Sequence, residues 1–300
     1  MKNKVAYLDI DHVLIGYKYS VFNISFDIPY MGNPLVPMAS SFTIDNLSQD
    51  TINYIATNTT LFQDRTRHIK FYAGYEDNVK MLFDGEIQTA EPSGQPDTSL
   101  EIKAWTSTKN MGTNISVEAK NTTYMKLIED AADKCGLGCI FAPDLYKVSR
   151  LQDIVPYFSH TGSQQDYLRR VMMDTTGFNV VKDGLLFCIA NQTLYVSQQD
   201  AINPIVPIKE ISAETGLIGK PEPNAAGVNL RVLMDVTLGA GQTIRLKSKL
   251  MPLYNGLYNI YGLTHHGSTR GNDFYTDLIC MRVYRDPEGS VVQGEYGVVR

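Results

Sequence analysis

The chain has 300 residues, with 27 Lys and Arg against 32 Asp and Glu, a formal net charge of −5, and 43% hydrophobic and 10% aromatic residues. That length is enough for two domains with sizeable cores. A protein that grips a DNA backbone carries a basic patch, and none is visible here; the mildly acidic balance suits a surface that DNA slides past.

The first third, Met1 to Met111, reads as β. Val5 to Ile10, Lys18 to Ile28, Ser40 to Leu47, Arg67 to Ala73, Met81 to Thr89 and Ser99 to Trp105 are its candidate strands. Tyr30-Met31-Gly32-Asn33-Pro34 and Glu91-Pro92-Ser93-Gly94-Gln95-Pro96-Asp97 are loops by their Pro and Gly content. Gly85 inside a strand predicts a bulge or a sharp bend, as a closing barrel needs.

The middle third changes period. Between Thr122 and Cys135, the residues Met125, Ile128, Ala131, Ala132 and Cys135 share one helical face, and Gly136 stops the helix. A second helix is predicted from Ser163 to Thr176, with Leu168, Val171, Met172 and Thr175 on one face. Ser163 and Asp166 sit at its start in a capping-box arrangement, and Gly177 ends it. A hairpin comes next, Phe178 to Lys182 against Leu185 to Ile189, with Asp183-Gly184 as its turn.

Residues 201–227 carry Pro204, Pro207, Pro221 and Pro223 with Gly216, Gly219 and Gly227, and read as an extended connection. From Val228 to Val283 the apolar alternation returns. Its strands are Val228 to Val232, Thr243 to Leu246, Leu257 to Leu263 and Phe274 to Cys280. They break at Leu238-Gly239-Ala240-Gly241, Tyr254-Asn255-Gly256 and His265 to Asn272. So many short strands in so little chain predict a small β-barrel or curled sheet. No internal repeat of 20 to 50 residues stands out.

Three stretches carry a resemblance. The last third runs from a strand into Gly-Ala-Gly-Gln-Thr-Ile-Arg-Leu, then Asn-Gly-Leu-Tyr-Asn-Ile-Tyr-Gly-Leu-Thr-His-His-Gly, then Thr-Arg-Gly-Asn-Asp-Phe-Tyr-Thr-Asp-Leu. The first third has Phe71-Tyr72-Ala73-Gly74-Tyr75, Leu82-Phe83-Asp84-Gly85-Glu86-Ile87 and Ser99 to Trp105. The middle third has Gln165, Tyr167, Leu168, Arg169, Arg170, Gly177, Phe178, Asp183, Gly184 and Leu185. In this order they resemble phage tail baseplate hub proteins, the contractile-tail hub and late-control-protein-D-like family.

The resemblance implies a mainly β (α+β) fold with two small tube-type β-barrels and an inserted α/β module. The boundaries are 1–112 for the first barrel, 113–200 for the module, 201–227 for the connection, and 228–300 for the second barrel and C-terminal tail. It also implies a structural role without enzymatic activity, cofactor or metal. A homotrimeric ring would join the tail tube or distal tail proteins to a central spike protein in the virion, at the tail tip. The C-terminus of a tape-measure protein would be a further partner, and genomic DNA would pass without specific binding. A hub of a contractile secretion system carries the same implications.

An alternative rests on Val5-Ala6-Tyr7-Leu8-Asp9-Ile10-Asp11-His12. Asp9 and Asp11 after an apolar strand have the spacing with which haloacid-dehalogenase-type phosphatases present a nucleophile and an acid around Mg²⁺. That chemistry needs a βαβ unit next, and another β pattern stands there instead. His265 and His266, as strand neighbours, point to opposite faces and form a structural corner rather than a shared ligand pair. Glu86, Glu91, Asp97 and Glu101 near one hairpin could suggest a glycosidase pair, but read as a solvated edge. Cys135 and Cys139 lack the two further ligands a zinc site needs, so these and Cys188 and Cys280 read as buried small hydrophobes, reduced in the cytoplasm where the chain is made. No signal peptide pattern is seen, and no apolar run reaches the roughly 18 residues of a membrane span.

Overall fold

The computed structural model describes residues 3–16, 22–32, 39–56, 67–94, 98–106, 113–143, 145, 149–176, 184–190, 192–203 and 206–284. In the first third, period two sets the strands. β1 (Lys4–Ile10) buries Ala6, Leu8 and Ile10, and β3 (Ile24–Met31) buries Ile24, Phe26 and Ile28. β4 (Ala39–Asp45), β5 (His68–Tyr75), β6 (Asn78–Ser93) and β7 (Ser99–Thr106) alternate in the same way, each giving one face to a core. A short β2 (Val13–Ile15) folds back on β1 through Asp11 and His12, both at positive φ, as a two-residue primed turn requires. One helix, α1 (Gln49–Ala56), was not evident from sequence; it buries Ile52 and Ile55 in the same core.

The middle third forms a separate cluster. β8 (Asn114–Thr123) leads directly into α2 (Tyr124–Lys134), with Thr123 as N-cap. All five residues of the expected apolar face are buried, and Gly136 stops the helix at φ 71°, with Leu137 N donating to Ala132 O at 2.9 Å. β9 (Gly138–Phe141), the single turn α3 (Ser149–Gln152) and β10 (Ile154–Ser163) come next. α4 (Gln164–Thr176) starts as expected, with Asp166 N donating to Ser163 Oγ at 3.0 Å. β11 (Leu185–Ala190) pairs with β12 (Thr193–Gln198), which also pairs parallel to β9. The expected partner strand, Phe178 to Lys182, and the first turn residue, Asp183, lie outside the described residues.

The last third holds β13 (Lys209–Ser212), β14 (Leu217–Pro223), β15 (Gly227–Leu233), β16 (Thr243–Lys247), β17 (Gly256–Ser268) and β18 (Phe274–Arg282). The stretch expected as an extended connection thus contains two strands. Pro221 and Pro223 sit in β14, at the end of the sheet path, where a missing N–H breaks no ladder.

The fold is mainly β, as the sequence suggests. The two β thirds share one 13-stranded sheet, in the order β14-β15-β18-β17-β3-β4-β7-β6-β5-β1-β2, with β16 attached to β17 and β13 to β16. Pairing among the described strands does not close into a ring, but the sheet curls tightly. β3 and β5 are four steps apart in the order, about 19 Å if flat, yet Phe26 and Phe71 have ring centres 4.6 Å apart. Each curled half encloses its own core. One runs from Ala6 to Ala104 and borrows Met234, Val236 and Phe274; the other is built by Ile211, Val228, Leu230, Ile244, Tyr258, Ile260 and their neighbours. The middle unit has a third core.

Candidate functional site: the seam between the curled halves

Strands from opposite ends of the chain weld the two halves. β3 and β17 pair antiparallel from Gly262↔Met31 to Ser268↔Ser25. Glycine permits the close approach: a Cβ on Gly267 would stand 2.3 Å from the Phe26 ring, and one on Gly262 2.5 Å from Met31 Sδ. Below the ladder, the turn after β17 is tied to the chain before β3. Thr269 N donates to Ile24 O, and Ile24 N donates to Thr269 Oγ1, both at 3.0 Å. Ser268 Oγ donates to Asn23 Oδ1 at 3.0 Å. Lys4 Nζ donates to Gly271 O at 2.6 Å and stands 5.3 Å from the centre of the Phe274 ring.

His265 and His266 face opposite sides of this joint. His265 is 2% exposed, with Nδ1 2.9 Å from Thr276 Oγ1, which in turn donates to Met234 Sδ at 3.8 Å. Burial pushes its pKa down to about 4, so the ring is neutral at neutral pH. The tautomer with hydrogen on Nδ1 completes that chain. His266 is half-buried on the outer face. Its Nδ1 lies 3.0 Å from Asp27 Oδ2 and its Nε2 3.5 Å from Asp277 Oδ2. Arg231 donates to Asp277 through Nε at 2.7 Å and Nη2 at 2.9 Å, which raises its pKa further, and stacks 4.1 Å from the Tyr275 ring. Arg231, Asp277, His266 and Asp27 therefore form one polar row across β15, β18, β17 and β3.

The middle unit is fastened to the sheet at two places. At one, Cys188 of β11 bridges Gly32, and Gln192 Nε2 donates to Asp84 Oδ1 at 3.4 Å, where His68 Nε2 is also 2.7 Å away. At the other, the buried amide of Asn259 clasps the chain leaving β12. Nδ2 donates to Ala201 O at 2.6 Å and Gln199 O at 3.0 Å, while Oδ1 accepts from Thr243 Oγ1 at 2.6 Å. Asn203 N donates to Thr243 Oγ1 at 2.8 Å, and Asn203 Nδ2 to Gly241 O at 2.7 Å. These contacts tie the middle unit to the sheet.

The structure separates the two carboxylates of the phosphatase reading. Asp9 lies in β1 on the face away from Leu8 and Ile10. Asp11 is in the hairpin turn, accepting from Arg67 Nη1 at 2.9 Å and His68 N at 3.1 Å, so it pins the turn to the start of β5. The chain leaves β1 through an antiparallel hairpin, not a βαβ unit. Among the described residues, no group of three or more His, Cys, Asp or Glu could hold a metal. Glu91 and Glu101 oppose each other on β6 and β7, Glu86 opposes Trp105, and Asp97 is outside the described residues. Burial pushes the Cys135 thiol up to about 11 and Cys188 to about 12, which suits packed hydrophobes. Sequence reasoning missed the seam and the Asn259 clasp. The available signal was glycine inside β17.

The fold is similar to a tail protein from Neisseria meningitidis MC58, with a TM-score of 0.60 at 7% identity, covering 93% of this chain and 97% of that one. It is equally similar to the 43 kDa tail protein of prophage MuSo2 from Shewanella oneidensis, with a TM-score of 0.60 at 9% identity and coverage of 98% and 100%. The E. coli c3393 protein, described as a type VI secretion system component similar to the T4 tail proteins gp27 and gp5, gives 0.59 at 10% identity, over 95% of this chain and 79% of that one. No curated protein sequence matches the chain. Residues 18–280 match the family described as baseplate hub gp41, and the chain belongs to that family.

Proposed function

We propose that the chain is the structural hub of a phage tail baseplate, without enzymatic activity, placed at the tail tip of the virion. Three copies form a ring, each contributing two tube-type units, 1–112 and 228–300, with 113–200 as the inserted module and 201–227 as the connection. The ring joins the tail tube or distal tail proteins to the central spike, with the tape-measure C-terminus as a further partner, and DNA passes through on infection. The observation that carries this reading is the seam. Two curled halves fused into one sheet support two tube-type units per chain, the number with which three chains would make a pseudo-six-fold ring. Light scattering of the protein with its spike should give about three chain masses, and electron micrographs should show a ring with a central hole. A strict monomer in the presence of spike and tube proteins overturns the proposal.

The likeness to a type VI secretion component favours a second reading, a hub in a contractile secretion system, with the same ring. Genes flanking this one separate the two, since a secretion system brings its own membrane-complex genes.

A further inference from the structure

We infer that the middle unit is a duplicated strand–helix–strand, its two copies related by a pseudo-twofold axis through the β8–β10 ladder. This inference is independent of the ring proposal. The first copy is β8, α2 and β9; the second is β10, α4 and β11. The ladder itself fixes the relation. Asn114 pairs with Ser163 and Ile154 with Thr123, so the same offset of 40 residues takes 114 to 154 and 123 to 163. Antiparallel strands paired end to end in this way superpose on each other by a half-turn.

The offset continues into the helices. Thr123 caps α2 by accepting from Lys126 N, and its counterpart Ser163 caps α4 by accepting from Asp166 N. Leu127, Ile128, Ala131, Ala132 and Cys135 are buried, and so are their counterparts Tyr167, Leu168, Val171, Met172 and Thr175. Lys126, Glu129 and Asp133 are exposed, as are Asp166, Arg169 and Met173. At these positions the burial class matches although few residue types do, and every member of the two buried sets except Thr175 belongs to one core.

The third element of each copy obeys the same symmetry. β9 and β11 flank β12 on opposite sides, β9 parallel and β11 antiparallel to it. They therefore run antiparallel to each other, as a twofold axis demands. The chain is longer between α4 and β11 than between α2 and β9, so these two strands do not share the offset of 40.

The test exchanges counterparts within the full chain. Val171→Ala leaves a hole and Ala131→Val crowds its counterpart. Each alone should speed amide hydrogen exchange severalfold in both α2 and α4, because each copy is packed by the other. The double variant conserves volume and should return exchange in both helices close to the parent. Ala142→Val with Val171→Ala conserves the same volume at a buried position that is not a counterpart, and should show no recovery. If Ala131→Val does not fold, the isomeric exchange Ile128→Leu with Leu168→Ile supplies the same comparison. Recovery by both pairs, or by neither, overturns the duplication.

Discussion

The buried histidine of the seam gives the sheet an acid limit that can be calculated. His265 titrates near 6.5 when unfolded and at about 4 in the folded protein, because burial disfavours the charged ring. As pH falls through this window the unfolded chain takes up a proton before the folded one does. The stability from keeping the ring neutral is therefore fully present above about 6.5 and is lost as pH falls toward 4. At about 1.36 kcal/mol per pH unit, the loss is about 2 kcal/mol at pH 5 and about 3 kcal/mol at pH 4.

The perturbation is His265→Gln, which cannot titrate. Other titrating groups are common to both proteins and cancel in the difference. Urea unfolding is followed by the fluorescence of the single tryptophan, Trp105, which lies in β7 of the same sheet. The parent should be the more stable protein at pH 7.5, and its advantage should shrink by about 2 kcal/mol on going to pH 5. Parallel stability curves for parent and variant across that range would refute the reasoning, since they would mean that His265 titrates in the folded protein as it does in the unfolded chain.

Asn259→Leu should cost about 2–4 kcal/mol, because it strips two backbone carbonyls and Thr243 of their buried partner; hydrogen exchange should rise first in residues 198–203. Gly85→Ala should cost about 2–4 kcal/mol, since its Cβ would stand 2.1 Å from the Trp105 carbonyl oxygen and force β6 and β7 apart. Asp9→Asn, by contrast, should shift the urea midpoint by no more than about 0.5 kcal/mol in equivalent stability and leave assembly intact. Duplex DNA should bind the isolated protein only weakly at physiological salt; sub-micromolar, salt-sensitive binding in a titration would contradict the hub proposal.

The strands of the first and last thirds were legible because alternation reports directly on one-sided burial. Others were not, among them β2, β8 to β10 and β12 to β14. β8 buries only Val117, so its alternation is too sparse to see. β13 and β14 were hidden by prolines that an edge strand tolerates. The duplication escaped notice because counterparts such as Leu127 and Tyr167, or Ala132 and Met172, share burial but not chemistry. Gly85 was legible as special, but for a different reason. The register shifts in β6 fall at Phe71/Tyr72 against β5 and at Ile87/Thr89 against β7, and the glycine instead makes room for a carbonyl. The seam itself could not be read, because alternation says which face of a strand is buried and not which distant strand lies beside it.

Register is what the two histidines decide. A slip of one residue along β17 turns every side chain to the other face. His266 would then enter the core, leaving Asp27 and Asp277 without it, and His265 would lose Thr276 and meet solvent. The outer row of Arg231, Asp277, His266 and Asp27 is exposed enough that each pair contributes only about 0–1 kcal/mol. Its worth lies elsewhere: it forms in one register, alongside the buried His265–Thr276 contact and the glycine approaches at 262 and 267. A joint meant to carry load between two cores gains more from that agreement than from the strength of any single contact. Only one alignment satisfies both faces of β17 together.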